Sequence, residues 1–286
     1  MVGTRRCHGP HDALDPFELA HVPAAIPGEE LFDGHRWKRK FAFGGHDDMN
    51  SSSNVHSRLG QDRRLRVDSN DNVPFVRREI AIGGRIWLVE TVDDQDALLA
   101  VAEVRAQFPF GLMLWESAIA LAHELTERAS SITGKSVLEL GAGLGLSGVV
   151  AASLGAHVVQ TDHDASALEA CTRTAKLNGI TGIGGQPGDW HDWRDDARYD
   201  LIIGADIAYD GADHAALLAL FERNLAPGGL VLLADPGREM QSAFMGRAKA
   251  AGWAVTLSTR NVPDLKPARP GAEMTVAIIE IARVPA

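Results

Sequence analysis

The run Val137-Leu138-Glu139-Leu140-Gly141-Ala142-Gly143-Leu144-Gly145-Leu146-Ser147-Gly148 constrains the fold more than any other part of the chain. It reads as a short apolar strand, a glycine turn and the start of a helix. The first turn of such a helix offers free backbone N–H groups and the positive end of the helix dipole, a setting for a ligand with a negative group. Glycine lets the backbone come close, because no Cβ stands in the way. A second apolar strand, His157-Val158-Val159-Gln160-Thr161-Asp162, ends in a carboxylate. An acid at that point suits the hydroxyls of a ribose. Together these features predict a nucleoside-containing cofactor.

The glycine pattern narrows the choice. A dinucleotide fingerprint is G-x-G-x-x-G. Gly141 and Gly143 fit its first two positions, but Leu146 stands at the third. The pattern present is E-x-G-x-G-x-G, beginning at Glu139. It resembles motif I of the class I S-adenosylmethionine-dependent methyltransferases. That resemblance implies S-adenosyl-L-methionine as cofactor, with the acid near its amino group.

The chain has 286 residues, of which 45% are hydrophobic and 23% charged, a globular composition. Its formal net charge of −10 counts against a broad electrostatic grip on nucleic acid. Two cysteines, Cys7 and Cys171, cannot make a disulfide framework, so a reducing cytoplasmic setting is expected. No apolar run approaches the ~18 residues of a membrane span, and the N-terminus shows no apolar signal-peptide core.

Residues 1–72 differ from the rest. They hold six of the eleven histidines and little apolar periodicity, and a disordered extension is expected. Cys7, His8 and His11 form no metal-ligand pattern of weight, and Trp37-Lys38-Arg39-Lys40-Phe41 reads as an exposed charged segment. No metal is expected anywhere. Residues 73–130 are expected to hold a hairpin around Gly83-Gly84, a helix over 93–107 and a second helix ending near 129. Residues 131–286 alternate strand and helix. Strands are expected at 136–142, 157–162, 181–186, 200–206 and 230–235, and helices at 145–154, 164–178, 212–224 and 239–251. Near-continuous apolar strands such as Leu201-Ile202-Ile203 indicate a parallel sheet covered on both faces. The last strands, 253–260 and 273–282, have no helix between them and must run antiparallel. The expected fold is an α/β, Rossmann-like doubly wound sheet, mostly parallel with a C-terminal antiparallel hairpin, the class I methyltransferase layout.

Further motifs sharpen the resemblance. Leu114-Trp115-Glu116-Ser117-Ala118 precedes motif I, Asp189-Trp190 precedes the fourth strand of the alternating region, and Asp206-Ile207-Ala208-Tyr209 follows it. The set is similar to the seven-β-strand protein-lysine methyltransferases of the methyltransferase-16 type, over about residues 75–283. Carried over, the resemblance implies that Gly141, Ala142, Gly143 and Gly145 line the methionine part, with Glu139 beneath it. Asp162 would bind the ribose and His163 lie along the adenine edge. Asp189 would accept from the adenine amino group, with Trp190 packed near the ring. Ala205 would close the floor, and Trp115 would cover the sulfonium, as an aromatic face attracts a cation. Asp206 and Tyr209 would face the methyl acceptor, a lysine side chain of a protein partner. Trp193 reads as a core aromatic.

Other classes stay open from the residues alone. A small-molecule, nicotinamide-like N-methyltransferase shares these marks, and so does a non-catalytic cofactor-binding interaction protein. A nucleic-acid adenine methyltransferase carries [DN]-P-P-[YF], whereas Ile207 and Ala208 replace both prolines here. Neither the acceptor nor the oligomeric state is legible.

Overall fold

The computed structural model describes residues 32–33, 36–37, 75–93, 98 and 109–284. The chain divides between Leu59 and Gly60, and the two parts are taken separately. In the first, Phe32–Asp33 pairs antiparallel with Arg36–Trp37. The disorder expected for residues 1–72 and the group Cys7, His8 and His11 lie outside the described residues. So does the 93–107 helix, apart from Asp93 and from Leu98, which is helical and buried.

The second part begins with strands β1 (Val76–Ile82) and β2 (Arg85–Thr91), paired antiparallel with Ile82 opposite Arg85. Gly83 and Gly84 both take positive φ, at 60° and 76°. That is the two-residue turn that matches the twist of a hairpin. On β2, Trp87, Val89 and Thr91 are buried in alternation with Ile86, Leu88 and Glu90. Helix α1 (Glu116–Glu127) and the short α2 (Ala129–Ile132) follow.

Then come β3 (Ser136–Leu140), α3 (Leu146–Ser153), β4 (His157–Asp162), α4 (Ala165–Leu177), β5 (Gly184–Pro187) and β6 (Tyr199–Ala205). They are followed by α5 (His214–Asn224), β7 (Leu225–Asp235), α6 (Glu239–Ala250), β8 (Trp253–Pro263) and β9 (Glu273–Arg283). Seven strands form one sheet in the order β8-β9-β7-β6-β3-β4-β5. Only β9 runs antiparallel to its neighbours, and it inserts between β7 and β8. Sequence reasoning reached the terminal hairpin but not this insertion.

Neighbouring residues on each central strand face opposite ways, and both faces are apolar. Val137, Ile203 and Leu232 join Ile119, Leu121 and Val149 on one side, with Ile82, Trp87 and Val89 of the hairpin. Leu138, Ile202 and Leu233 join Leu217, Phe221 and Phe244 on the other. The hairpin and α1 therefore share the core of the sheet and do not form a separate unit. The Asn178 side chain ties them down at the C-cap of α4. It accepts from the Leu88 N–H at 2.9 Å and donates to the Leu88 carbonyl at 2.8 Å, as a neighbouring strand would.

Two boundaries differ from expectation. The strand expected at 230–235 begins earlier, at Leu225, so that Pro227-Gly228-Gly229 lies inside β7. There the register jumps from Tyr199↔Leu225 to Leu201↔Leu230, and Gly228 takes φ 76°. Strand β8 runs on to Pro263, which pairs with Glu273, so the loop before β9 is shorter than the prolines suggest. As an edge strand, β8 tolerates a residue without an N–H.

Candidate functional site

The expected site residues gather at the carboxyl ends of β3, β4 and β6, where open parallel sheets form their clefts. The glycine turn comes first. Gly141, Gly143 and Gly145 all have positive φ, at 57°, 55° and 76°. A Cβ on Gly141 would lie 2.8 Å from Ile207 Cγ2, and one on Gly145 would lie 2.6 Å from Gln160 Nε2 and 2.8 Å from Cys171 Sγ. At Gly143 the nearest atom is the Gly111 carbonyl oxygen, at 3.2 Å. Sequence reasoning attributed these glycines to the approach of a ligand. The turn already requires them for its own backbone and its protein neighbours. Ala142 lies between them, its N–H donating to the Thr161 carbonyl at 2.9 Å.

Glu139 lies beneath the turn. Its side chain is only 4% exposed. One oxygen accepts from the Gly148 N–H at 3.0 Å and the other from Gln160 Nε2 at 2.7 Å. Gln160 also donates to the Gly145 carbonyl at 2.9 Å. The carboxylate thus points into the first turn of α3, with one hydrogen bond to each oxygen there. Burial pushes its pKa up to about 7, against the pull of the Gln160 and Gly148 bonds. It braces the turn from beneath, and Gln160, which sequence reasoning passed over, is its partner. The signal was present: β3 and β4 each carry one long polar side chain amid apolar ones, and the two are register partners.

Asp162 ends β4 with a buried carboxylate. It accepts from the Gly143 N–H at 3.0 Å and the Asp164 N–H at 2.9 Å. Burial raises its pKa, and those two N–H groups pull it back. Each oxygen keeps acceptor capacity, which suits a diol. His163 is exposed, with Nδ1 3.5 Å from Asp162 Oδ1. Asp189 is exposed and caps the turn Trp190–Asp192, accepting from the His191 N–H at 2.8 Å. Trp190 is half-buried, and its ring edge comes within 3.7 Å of where a Gly141 Cβ would stand. Trp193 is a core aromatic as expected, buried and donating to Asn224 Oδ1 at 2.9 Å.

Over the glycine turn lies the segment Phe110–Trp115. Gly111 packs on Gly143, and the Trp115 indole N–H donates to the Phe110 carbonyl at 3.1 Å. The half-buried Trp115 starts α1, two residues before Ser117. Ser117 is buried, and its hydroxyl reaches Asp206 Oδ2 at 3.5 Å. One segment therefore touches both the glycine turn and the end of β6.

At that end, Ala205 is half-buried and Asp206 takes φ 63°, the single positive φ outside glycine among the described residues. A left-handed non-glycine residue costs roughly 1–2 kcal/mol, and such outliers cluster at functional sites. The Asp206 N–H donates to the Ala234 carbonyl at 2.8 Å, and its carboxylate forms an ion pair with Arg238. Tyr209 is 41% exposed, and its pKa is raised by burial of the hydroxyl and then by Asp213, Asp210 and Asp162. Asp235, an acid at the end of a parallel strand, and Arg238, which sequence reasoning passed over, complete this corner. The same end of the sheet thus holds the Asp162 carboxylate beside the glycine turn and an anionic corner one strand over.

The donor set fits an adenosine-bearing sulfonium cofactor. The buried Asp162 acceptor stands beside a turn where three glycines take left-handed backbone, with the Trp190 ring edge near Gly141.

Comparison with known proteins agrees. Residues 93–251 match the model of a family described as lysine methyltransferase. The histone-arginine methyltransferase METTL23 of Xenopus laevis is 29% identical over 201 residues, covering 65% of this chain and 82% of that protein. The protein-lysine N-methyltransferase EFM3 of Chaetomium thermophilum is 30% identical over 54% of this chain and 51% of its own length. The protein N-lysine methyltransferase METTL21A of Danio rerio is 38% identical over 42% of this chain and 58% of its own length. The chain thus spans little more than half of these last two relatives. Among solved structures, one described as conversion of a disulfide bond into a thioacetal group during echinomycin biosynthesis aligns with a TM-score of 0.50 at 18% identity, over 64% of this chain and 90% of the other. It shares the fold. The match spans more than half of the chain and includes the glycine turn, Asp162, Asp189-Trp190 and Asp206–Tyr209, so this protein belongs to the lysine methyltransferase family of seven-stranded, Rossmann-like methyltransferases.

Proposed function

We propose that this chain transfers a methyl group from S-adenosyl-L-methionine to the side-chain amine of a lysine in a protein substrate. The observation that carries the reading is Asp206. It is an aspartate in left-handed backbone at a strand end, and its carboxylate already holds a side-chain cation beside the expected cofactor site. When bound, S-adenosyl-L-methionine supplies both the methyl group and its leaving group. The protein has to align the acceptor and exclude water.

In this reading Gly141, Ala142, Gly143 and Gly145 form the backbone wall for the methionine part. Asp162 accepts from the ribose hydroxyls, with His163 beside it, and Asp189 and Trp190 flank the base. Ala205 is the floor, and Trp115 faces the sulfonium. Glu139 acts through the turn it braces. Asp206 receives the incoming ammonium, and Tyr209 orients the nitrogen. A lysine must lose its proton before it can attack, and reaching the neutral amine near pH 7.4 costs about 4 kcal/mol. Desolvation of the slot favours the neutral amine while the Asp206 carboxylate favours the ammonium, so the proton leaves to solvent before the amine attacks.

A second reading takes arginine as the acceptor. It is favoured by the guanidinium that sits on Asp206 and by the relative named for histone-arginine methylation, whose match covers 65% of this chain. Incubating the full chain with methyl-labelled S-adenosyl-L-methionine and a protein extract, then mapping the label by mass spectrometry, decides the matter. Label on lysine is the expected result, and label on arginine alone selects the second reading. Label confined to small metabolites, or no label together with no calorimetric binding of the cofactor, overturns both.

A further inference from the structure

One carboxylate near this corner has no assigned part. Strands β6 and β7 are parallel neighbours with Ala205 opposite Ala234, so Asp206 and Asp235 leave the sheet side by side. Asp235 is 2% exposed. Its Oδ1 accepts from the Gly237 N–H at 2.8 Å and the Arg238 N–H at 3.0 Å. Its Oδ2 has no hydrogen-bond partner. A buried carboxylate oxygen without a donor is costly and calls for an explanation. That oxygen lies 3.9 Å from Arg238 Nη1, the same nitrogen that pairs with Asp206. The guanidinium thus pairs with Asp206 and is an ion-pair neighbour of Asp235 Oδ2, with no hydrogen bond between the two. Its side chain is 39% exposed, so it reaches the pair from the solvent side.

We propose that Asp206 and Asp235 together form a two-carboxylate slot for the substrate's side-chain cation, and that Arg238 is an internal stand-in which the substrate displaces. The proposal rests on the reading of Asp206 as part of the acceptor site. A compact ammonium, with all its donors on one nitrogen, can seat between two acids that one planar fork does not bridge. An ordinary surface ion pair would need neither a left-handed aspartate nor an unpaired buried oxygen behind it. Ser117, reaching Asp206 Oδ2 from α1, ties the slot to the segment that covers the glycine turn. Glu116, on the same turn of α1, adds negative potential at Arg238. Displacement of one cation by another leaves the net charge of the corner unchanged, so entry of the substrate is an exchange and not a new burial of charge. Arg238 on this account sets the threshold for acceptor binding and is a specificity-determining residue.

The test uses the full chain loaded with S-adenosylhomocysteine, whose own binding is measured by calorimetry. The probes are n-butylammonium chloride and methylguanidinium chloride, followed by saturation-transfer NMR against sodium chloride at equal ionic strength. Removing the stand-in with Arg238→Gln should tighten at least one probe fivefold or more over the parent. Arg238→Lys, which keeps a cation, should bind as the parent does. Adding Asp235→Asn to Arg238→Gln should abolish the gain. n-Butylammonium should gain more than methylguanidinium, and a larger gain for methylguanidinium would overturn the ammonium slot. Equal binding in all variants, no binding in any, or a gain that survives Asp235→Asn would overturn the proposal. Failure of S-adenosylhomocysteine to bind would instead count against the cofactor reading, and the cation arms would then be read on the unloaded chain. Should Arg238→Gln not fold, Arg238→Ala and the single Asp235→Asn variant carry the comparison, the latter with weaker probe binding expected.

Discussion

The two sides of the cleft hold their acids differently. At the glycine turn, Glu139 and Asp162 are held mostly by backbone N–H groups, from Gly148, Gly143 and Asp164, with Gln160 as the one side-chain donor. At the end of β6, the Asp206 carboxylate is held by the side chains of Arg238 and Ser117, while its neighbour Asp235 keeps one oxygen on the Gly237 and Arg238 N–H groups. Backbone donors cannot leave without unfolding the turn, whereas a guanidinium on a long stem swings away at the cost of an ion pair. The first side is built to keep one shape, and the second to trade partners. A cofactor site that is used identically in every turnover calls for the first arrangement, and an acceptor site that is filled and vacated calls for the second.

The contrast can be broken most forcefully at Gly145. Gly145→Ala imposes left-handed strain and drives a Cβ into Gln160 and Cys171, and should cost about 4 kcal/mol from strain and overpacking together. Denaturant unfolding reads this. A near-neutral result would mean that the turn is pliable and the contrast false.

Next in size is the pH dependence of the brace. Glu139 has a folded pKa of about 7 against an ordinary value of 4.5. Between those values the folded state holds the extra proton. Stability contributed by this group is therefore intact at low pH, falls as pH rises from about 4.5 to about 7, and is flat beyond. The full span is on the order of 3 kcal/mol. Asp162 and Asp235 are also raised, so the reading is taken by difference. Glu139→Gln should flatten the stability curve relative to the parent across that window, measured by unfolding at a series of pH values. An identical slope in the two proteins would place Glu139 outside the brace.

Asp162→Asn removes a charged acceptor and leaves one of the Gly143 and Asp164 N–H groups facing an amide NH2, so its folding is checked alongside. Affinity for S-adenosyl-L-methionine should weaken by about 2 kcal/mol, read by calorimetry. Unchanged affinity in a folded variant would move the ribose site elsewhere.

The smallest effect sharpens the other half. Asp206→Ala should lose about 1 kcal/mol more stability than Asp206→Asn, because asparagine tolerates left-handed backbone and alanine does not. Both should lose turnover alike, with cofactor affinity little changed. If Asp206→Asn keeps its turnover, the charge at this corner has no part in the reaction.

Much of this was legible in the chain itself. Apolar strands such as Leu201-Ile202-Ile203 announce a sheet covered on both faces, and each is found with alternate residues in the two cores. Gly83-Gly84 announces its hairpin, and Asp164 caps α4 by accepting from the Ser166 N–H. Short-range rules reach these features because the partners are close in sequence. The brace between Glu139 and Gln160 spans 21 residues, and the pair of Arg238 with Asp206 spans 32. Their partners are fixed only when β3 meets β4 and β6 meets β7, so no local pattern encodes them. The Gln160 partner of Glu139 was missed for that reason: motif and strand placed the residue, but the neighbouring strand supplies its donor.

The insertion of β9 between β7 and β8 has a consequence for how the chain is made. During synthesis, β7 emerges with only β6 to pair with, and β8 emerges with no partner at all, because its place in the sheet is defined by β9. Until Glu273–Arg283 leaves the ribosome, the apolar edge of β7 stays open, and open edges invite pairing with other chains. The strand that arrives last of the seven is thus the one that closes the molecule. Ribosome stalling before residue 273 should leave a nascent chain that is competent to bind chaperones and prone to aggregation, even though the whole glycine turn and the end of β6 have already been translated.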